Sequence, residues 1–140
     1  MKHIVLIIAT ALTVAACSVG KWGDKVVVCG DSTLYMVDVE KTVDGTPAVI
    51  WQWDIADAAD QLPEDFSGRN RSLDDCKPVN GGSRILVTSS SGSTILLDVA
   101  TGKCLFHART PMAHSAEMLP GGRIIVANST HPEGNNLSLY

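Results

Sequence analysis

The chain has 140 residues and a formal net charge of −4, enough length for one domain and not for two. With 45% hydrophobic and 19% charged residues, it is not a disordered polar chain. Its acidic balance and the lack of a Lys/Arg cluster exclude nucleic acid as a partner, because neutralising phosphates needs grouped cations.

Residues 1–16 (MKHIVLIIATALTVAA) read as an export signal: one basic residue, Lys2, then an apolar run from Ile4 that is too short and too weakly flanked to span a bilayer. Loss of this segment removes Lys2 and leaves 10 basic against 15 acidic residues, a net of −5. Val14-Ala15-Ala16-Cys17 resembles a bacterial lipobox. The resemblance implies that Cys17 becomes the lipidated first residue, that 17–23 is a tether, and that the membrane is a partner through the Cys17 lipid. The expected location is the bacterial cell envelope, on the outer membrane or a periplasm-facing membrane. Cleavage after Ala16 by an ordinary secretory peptidase is the alternative and predicts a secreted or periplasmic soluble protein. Either route leaves the cytoplasm, so disulfides are permitted. Besides Cys17 there are Cys29, Cys76 and Cys104, an odd number, so at most one pair forms and at least one thiol stays free. Cys29 and Cys104 lie in strand-like runs and are expected to be small buried residues. The cysteine spacings match no zinc pattern.

Residues 24–140 read as short strands divided by turns. The run 25–30 (KVVVCG) is the first strand and 33–39 (TLYMVDV) the second, separated by Asp31-Ser32. Asp44-Gly45 suits the positive-φ positions of a tight turn. A third strand, 48–53 (AVIWQW), puts Trp51 and Trp53 on one face; at least one is expected to pack in the core, with sugar stacking as the alternative role. Residues 57–75 (DAADQLPEDFSGRNRSLDD) form a polar insertion, acidic at both ends with Arg69 and Arg71 between. It is expected to be a solvated surface loop, with a binding loop as the alternative. The stretch 84–109 then runs strand, turn, strand, turn, strand: 85–87, 94–99 and 104–106 are the apolar runs, broken by Ser89-Ser90-Ser91-Gly92 and Ala100-Thr101-Gly102-Lys103. Residues 110–122 link this unit to 123–129 (RIIVANS), and 137–140 (LSLY) is a further strand segment.

These segments repeat. VVVCGDSTLYMVDV aligns with ILVTSSSGSTILLDV, so that Asp38 falls on Asp98, and RIIVANS aligns with RILVTSS. From Ile85 to Ile124 is 39 residues, close to the ~40–45 of one propeller blade. From Val26 to Ile85 is 59, about twenty more than one such period, which the 57–75 insertion supplies. The expected fold is all-β: antiparallel meander blades of an incomplete β-propeller, about two to three blades at ~40–45 residues each. Leu96-Leu97-Asp98-Val99-Ala100-Thr101-Gly102-Lys103-Cys104-Leu105-Phe106 is similar to the repeat of the quinoprotein-like (pyrroloquinoline quinone type) propeller superfamily, in which an apolar pair, an Asp, a Thr-Gly-Lys turn and an aromatic recur. More broadly, 25–140 resembles bacterial propeller lipoproteins. The resemblance implies the fold and not the quinone, because the adjacent cysteines of some quinone-dependent dehydrogenases are absent. Since closure takes ~4–8 blades, the chain is expected to be an N-terminal fragment of a longer propeller or a truncated reading frame, with completion by self-assembly as the alternative.

Candidate site residues lie between the repeats. Related propellers often carry a His near the central channel in the inter-blade segment, so the resemblance makes His114, Ser115 and Glu117 ligand-binding candidates. His131, in the next polar stretch, is placed to approach the same face. Two His and a Glu are suited to metal binding or acid–base chemistry, but a His beside a turn more often bonds backbone, and neither a metal site, a catalytic residue nor a cofactor is expected. No phosphate-binding Gly loop and no Gly-x-Ser-x-Gly elbow is present. The expected role is an exported, lipid-anchored binding or scaffold module for a small molecule, a glycan or a protein. The alternatives are a polysaccharide lyase or hydrolase using His114 and Glu117, and a non-functional truncated propeller.

Overall fold

A computed structural model describes residues 23–58, 60–62, 72–90, 92–110, 112–131 and 134–140, with 129–131 and 134–136 described by backbone alone. The signal segment 1–16, Cys17, most of the tether, and Arg69 and Arg71 of the insertion lie outside the described residues.

The described chain is all-β. It forms three antiparallel sheets in succession along the sequence. The first holds β1 (Lys25–Cys29), β2 (Thr33–Val43) and β3 (Thr46–Asp54). The middle sheet holds β4 (Leu73–Val79), β5 (Arg84–Ser89), β6 (Ser93–Asp98) and β7 (Cys104–Arg109). The third holds β8 (Ala113–Met118), β9 (Ile124–His131) and β10 (Gly134–Leu139). Each sheet is a meander whose strands pair in chain order, as expected where short apolar runs alternate with tight turns. Asp44 and Gly45 both take positive φ, 51° and 75°, so the Asp-Gly pair makes the β2–β3 turn that its chemistry favours.

Register shows which strands correspond. Lys25 pairs with Asp38 as Arg84 pairs with Asp98, and the pairs Val26–Val37 and Ile85–Leu97 follow. Hence β1–β3 repeat β5–β7. Likewise Met118–Ile124 repeats Pro78–Ile85, so β8–β10 repeat β4–β6. The crossing bonds repeat too: Val39 N–H donates to Asp24 O (2.7 Å) and Val99 N–H to Ser83 O (3.0 Å). The middle sheet is thus a full four-stranded blade, flanked by two blades of three described strands each.

Sequence reasoning did not anticipate β4 and β8. Residues 73–75, assigned to the insertion, open β4, and residues 113–118, assigned to an inter-blade connection, are β8. Both are polar on much of their length, so neither presents an apolar run. The start of the insertion is also less solvated than its composition suggests. Ile55–Ala58 form a 3-10 turn, and Ile55, Ala58 and Leu62 are buried.

Two apolar layers join the blades. Leu34, Met36, Trp53 and Ile55 pack with Leu73, Ile85, Val87, Ile95 and Leu97 between the first and middle sheets. Leu86 and Leu96 pack with Ala113, Ala116, Ile124 and Val126 between the middle and third. The central strands β5 and β6 are therefore buried on both faces, which explains why they read as unbroken apolar runs rather than alternating ones. The Thr101-Gly102 turn takes part in the first layer. Gly102 has φ +67°, and a Cβ added there would meet Trp53 Cδ1 at 3.5 Å; its carbonyl accepts the Trp53 Nε1–H at 3.1 Å. Trp53 is thereby a core residue, as its alternation with Gln52 suggested, while Trp51 is half-buried against the same layer.

Candidate functional site

The three sheets approach one another through β1, β4, β5 and β8, so β4 and β8 are where successive blades converge. These two strands carry the charged and polar side chains that the apolar layers exclude. His114 Nδ1 lies 3.0 Å from Asp74 Oδ2. Ser115 Oγ donates to Asp75 Oδ2 at 2.9 Å. Lys77 Nζ donates to Ser115 Oγ at 2.9 Å and to Ala116 O at 3.2 Å, pairs with Asp75 at 3.2 Å, and bonds Glu117 Oε1.

The partners are separated by the same interval. Asp74–His114, Asp75–Ser115 and Lys77–Glu117 each span 40 residues. Each side chain therefore meets the residue at its own repeat position in the next blade. A repeat that placed like charges there would set carboxylate against carboxylate at close range; here Lys77 faces Glu117, and His114 faces Asp74. The Lys77 ammonium is disfavoured by partial burial, but the Glu117 and Asp75 carboxylates outweigh that and hold its pKa above the usual lysine value.

Three of the four candidates thus come together. His114, Ser115 and Glu117 all stand on β8. His131 ends β9, its backbone paired with Gly134, and its side chain lies outside what is described. Asp74, Asp75 and Lys77 were not singled out from the sequence. The signal that could have found them is Gly81-Gly82 and Gly121-Gly122, 40 residues apart: aligning on these pairs sets LDDCKPVNGG over AHSAEMLPGG and places each polar residue on its partner. Among the described residues, no group of three or more His, Cys, Asp or Glu is arranged to hold a metal ion, and no helix is long and apolar enough to cross a membrane.

The ladder leads toward an open cleft of ≈ 480 Å³ between the β4–β5 and β8–β9 turns, lined by Val79, Arg84, Leu96, Met118, Leu119 and Pro120 among others. Polar strands running into a mixed apolar and polar cleft can orient a ligand by hydrogen bonds and bury part of it.

Solved structures place this architecture among β-propellers. The chain is similar to the WD40 β-propeller domain of Doa1, at 18% identity and a TM-score of 0.55, over 87% of this chain and 38% of that one. It is similar also to the β-propeller domain of Cps50 (Swd1) from Myceliophteria thermophila, at 18% identity and a TM-score of 0.57, over 88% of this chain and 37% of that one. The chain thus spans well under half the length of either propeller. No curated protein sequence matches it significantly. A family model matches residues 18–139, and the chain accordingly belongs to the family of unknown function DUF6528.

Proposed function

We propose that the chain is an exported, lipid-anchored propeller module that binds basic peptide segments of a protein partner. The observation that carries this is the ladder on β4 and β8. Asp75 and Glu117 pair with one lysine, Lys77, and Asp74 with His114, so the row holds three carboxylates to one lysine, and that excess selects a cation. The chain's net charge of −4 acts in the same direction over longer range. The quinoprotein-type assignment rests on the 96–106 repeat alone, and the membrane anchor on the lipobox resemblance at Cys17.

Internal pairing supports binding over the polysaccharide-active alternative. A lyase or hydrolase would need His114 and Glu117 turned toward one substrate, whereas each is engaged by a neighbour, Asp74 and Lys77.

The test is fluorescence anisotropy with two labelled peptides of equal length, one lysine- and arginine-rich and one aspartate- and glutamate-rich. The basic peptide should bind, more weakly as salt rises, and Asp74→Asn with Glu117→Gln should weaken it about tenfold, a loss of ~1.4 kcal/mol. Equal binding of both peptides, or of neither, would sink the proposal. Intact mass of the envelope-purified protein tests the anchor separately: an unmodified Cys17 removes it.

A further inference from the structure

The blade contacts carry one feature that the binding reading does not use. Cys29 ends β1 and Cys76 lies in β4, and both are half-buried and pack against the same apolar layer. Repeat register places them at matching positions of two strands that meet, β1 and β4. Cys29 corresponds to Thr88, because Cys29–Leu34 repeats Thr88–Thr94. Cys76 corresponds to Ala116, because Cys76–Val87 repeats Ala116–Val126. Thr88 and Ala116 are buried where β5 meets β8, at 1% and 3% exposure, so the cysteines hold the matching places where β1 meets β4. Each thiol is the largest influence on the other's ionisation, so the two side chains lie close together. Both are free thiols in this structure.

We propose that Cys29 and Cys76 are a thiol–disulfide couple that staples the first blade to the second. The chemistry needs an oxidant, and a disulfide-bearing donor supplies it by exchange. The Cys29 thiolate attacks one sulfur of the donor, forming a mixed disulfide and expelling one donor thiolate. Cys76 then loses its proton to solvent and attacks the Cys29 sulfur, expelling the second donor thiolate. Two protein thiols are oxidised by two electrons, and one donor disulfide is reduced to two thiols.

The surroundings fit this order of events. The neighbouring Cys76 lowers the Cys29 thiol, toward the range of an attacking thiol at neutral pH. The same proximity, with burial, pushes the Cys76 thiol up, as befits the group that attacks second. Cys104 packs against the same layer but is set apart: its Sγ donates to Phe106 O at 3.2 Å, and burial pushes its thiol up. Carboxylates of Asp74 and Asp75 also face the pair and oppose ionisation of Cys29, without overcoming the effect of Cys76. The geometry does not depend on the peptide-binding reading, and the test contains no peptide.

The experiment equilibrates the full chain with oxidised glutathione and maps it by mass spectrometry without reduction. Trypsin puts Cys29, Cys76 and Cys104 on separate peptides, 26–41, 72–84 and 104–109. The expected product is 26–41 joined to 72–84, an intact mass lower by about 2 Da for the two lost thiol hydrogens, and a Tm raised by several degrees that a reductant abolishes. Cys104→Ser should keep the link and the Tm response; Cys29→Ser and Cys76→Ser should lose both. The proposal is overturned if folded protein leaves Cys29 and Cys76 alkylatable after oxidation, holds them as separate glutathione adducts, or links either one to Cys104.

Discussion

The middle sheet and its neighbours are built on the same repeat, yet they bury it very differently. Leu96 of β6 and Leu139 of β10 hold one repeat position, since Leu96 pairs with Leu86 as Leu139 pairs with Ile125. Leu96 is 6% exposed and Leu139 is 57%. Val87 and Val28 hold another such position, and they differ as 1% does from 49%. The strand sequences are alike, so burial here belongs to the neighbouring blade and not to the strand. A blade is half a core, completed by whatever stacks on it, as in other repeat architectures. The faces that carry Val28 and Leu139 are covered by no described blade.

That difference is open to direct measurement. Leu96→Ala removes side-chain volume from a layer closed by Ala113, Ala116, Ile124 and Val126; it should cost about 2–5 kcal/mol in denaturant unfolding. Leu139→Ala, the same change at the same repeat position, should stay within about 0.5 kcal/mol. Equal losses at both positions would mean that another surface covers Leu139 in solution, and the contrast between the sheets would fail.

A smaller effect probes how one blade holds the next. Trp53 sits 3% exposed in the first layer, and its Nε1–H is the bond that reaches across to the Gly102 carbonyl. Trp53→Phe keeps most of the apolar surface and loses the bond, at an expected cost of about 1 kcal/mol. Trp51→Phe, two residues away and only half-buried, should cost less. The order of the two reports whether the Trp-to-turn bond stabilises the stack or merely accompanies it.

Where the fold was legible, apolar patterning made it so. The runs 85–87 and 94–99 are apolar on both faces, and they stand in the one sheet that is covered on both sides. The turns Asp44-Gly45 and Thr101-Gly102 announced positive φ and have it. The inner strands were not legible by that signal. Leu73–Val79 and Ala113–Met118 line up polar side chains whose partners lie 40 residues away, and a pairing between repeats leaves no local pattern. The same holds for Cys29, which a strand-like run made look like filler; only the blade contact brings Cys76 to it. Of the candidate site, the β8 half was named from sequence and the β4 half was not, because 73–75 were absorbed into a polar insertion whose acidic composition is that of a loop.

The smallest expected effect separates two aspartates at one repeat position, Asp38 within β2 and Asp98 at the end of β6. Asp98 Oδ1 accepts from the Thr101 hydroxyl at 2.7 Å and its amide at 2.9 Å, while Asp38 is paired with Lys41 at 2.8 Å. The Thr101 bonds hold the Asp98 carboxyl below its ordinary value of 3.8, and the Lys41 hydrogen bond does the same for Asp38. A depressed carboxyl contributes stability above its unfolded pKa and loses it as pH falls through the folded value, so both aspartates should lose their contribution only below about pH 4. Asp98→Asn keeps an acceptor for Thr101 and removes the titrating group, so its Tm should fall less than the parent's between neutral and acid pH. Salt then tells the two aspartates apart. Lys41 is exposed over 72% of its side chain, and its attraction to Asp38 is screened, whereas the Thr101 bonds to Asp98 come from neutral donors. High salt at neutral pH should therefore shrink the Tm difference between parent and Asp38→Asn while leaving that for Asp98→Asn nearly unchanged. Equal salt responses would show that the two aspartates act through neutral bonds alone, and that the Lys41 ammonium adds nothing to the strand segment it spans.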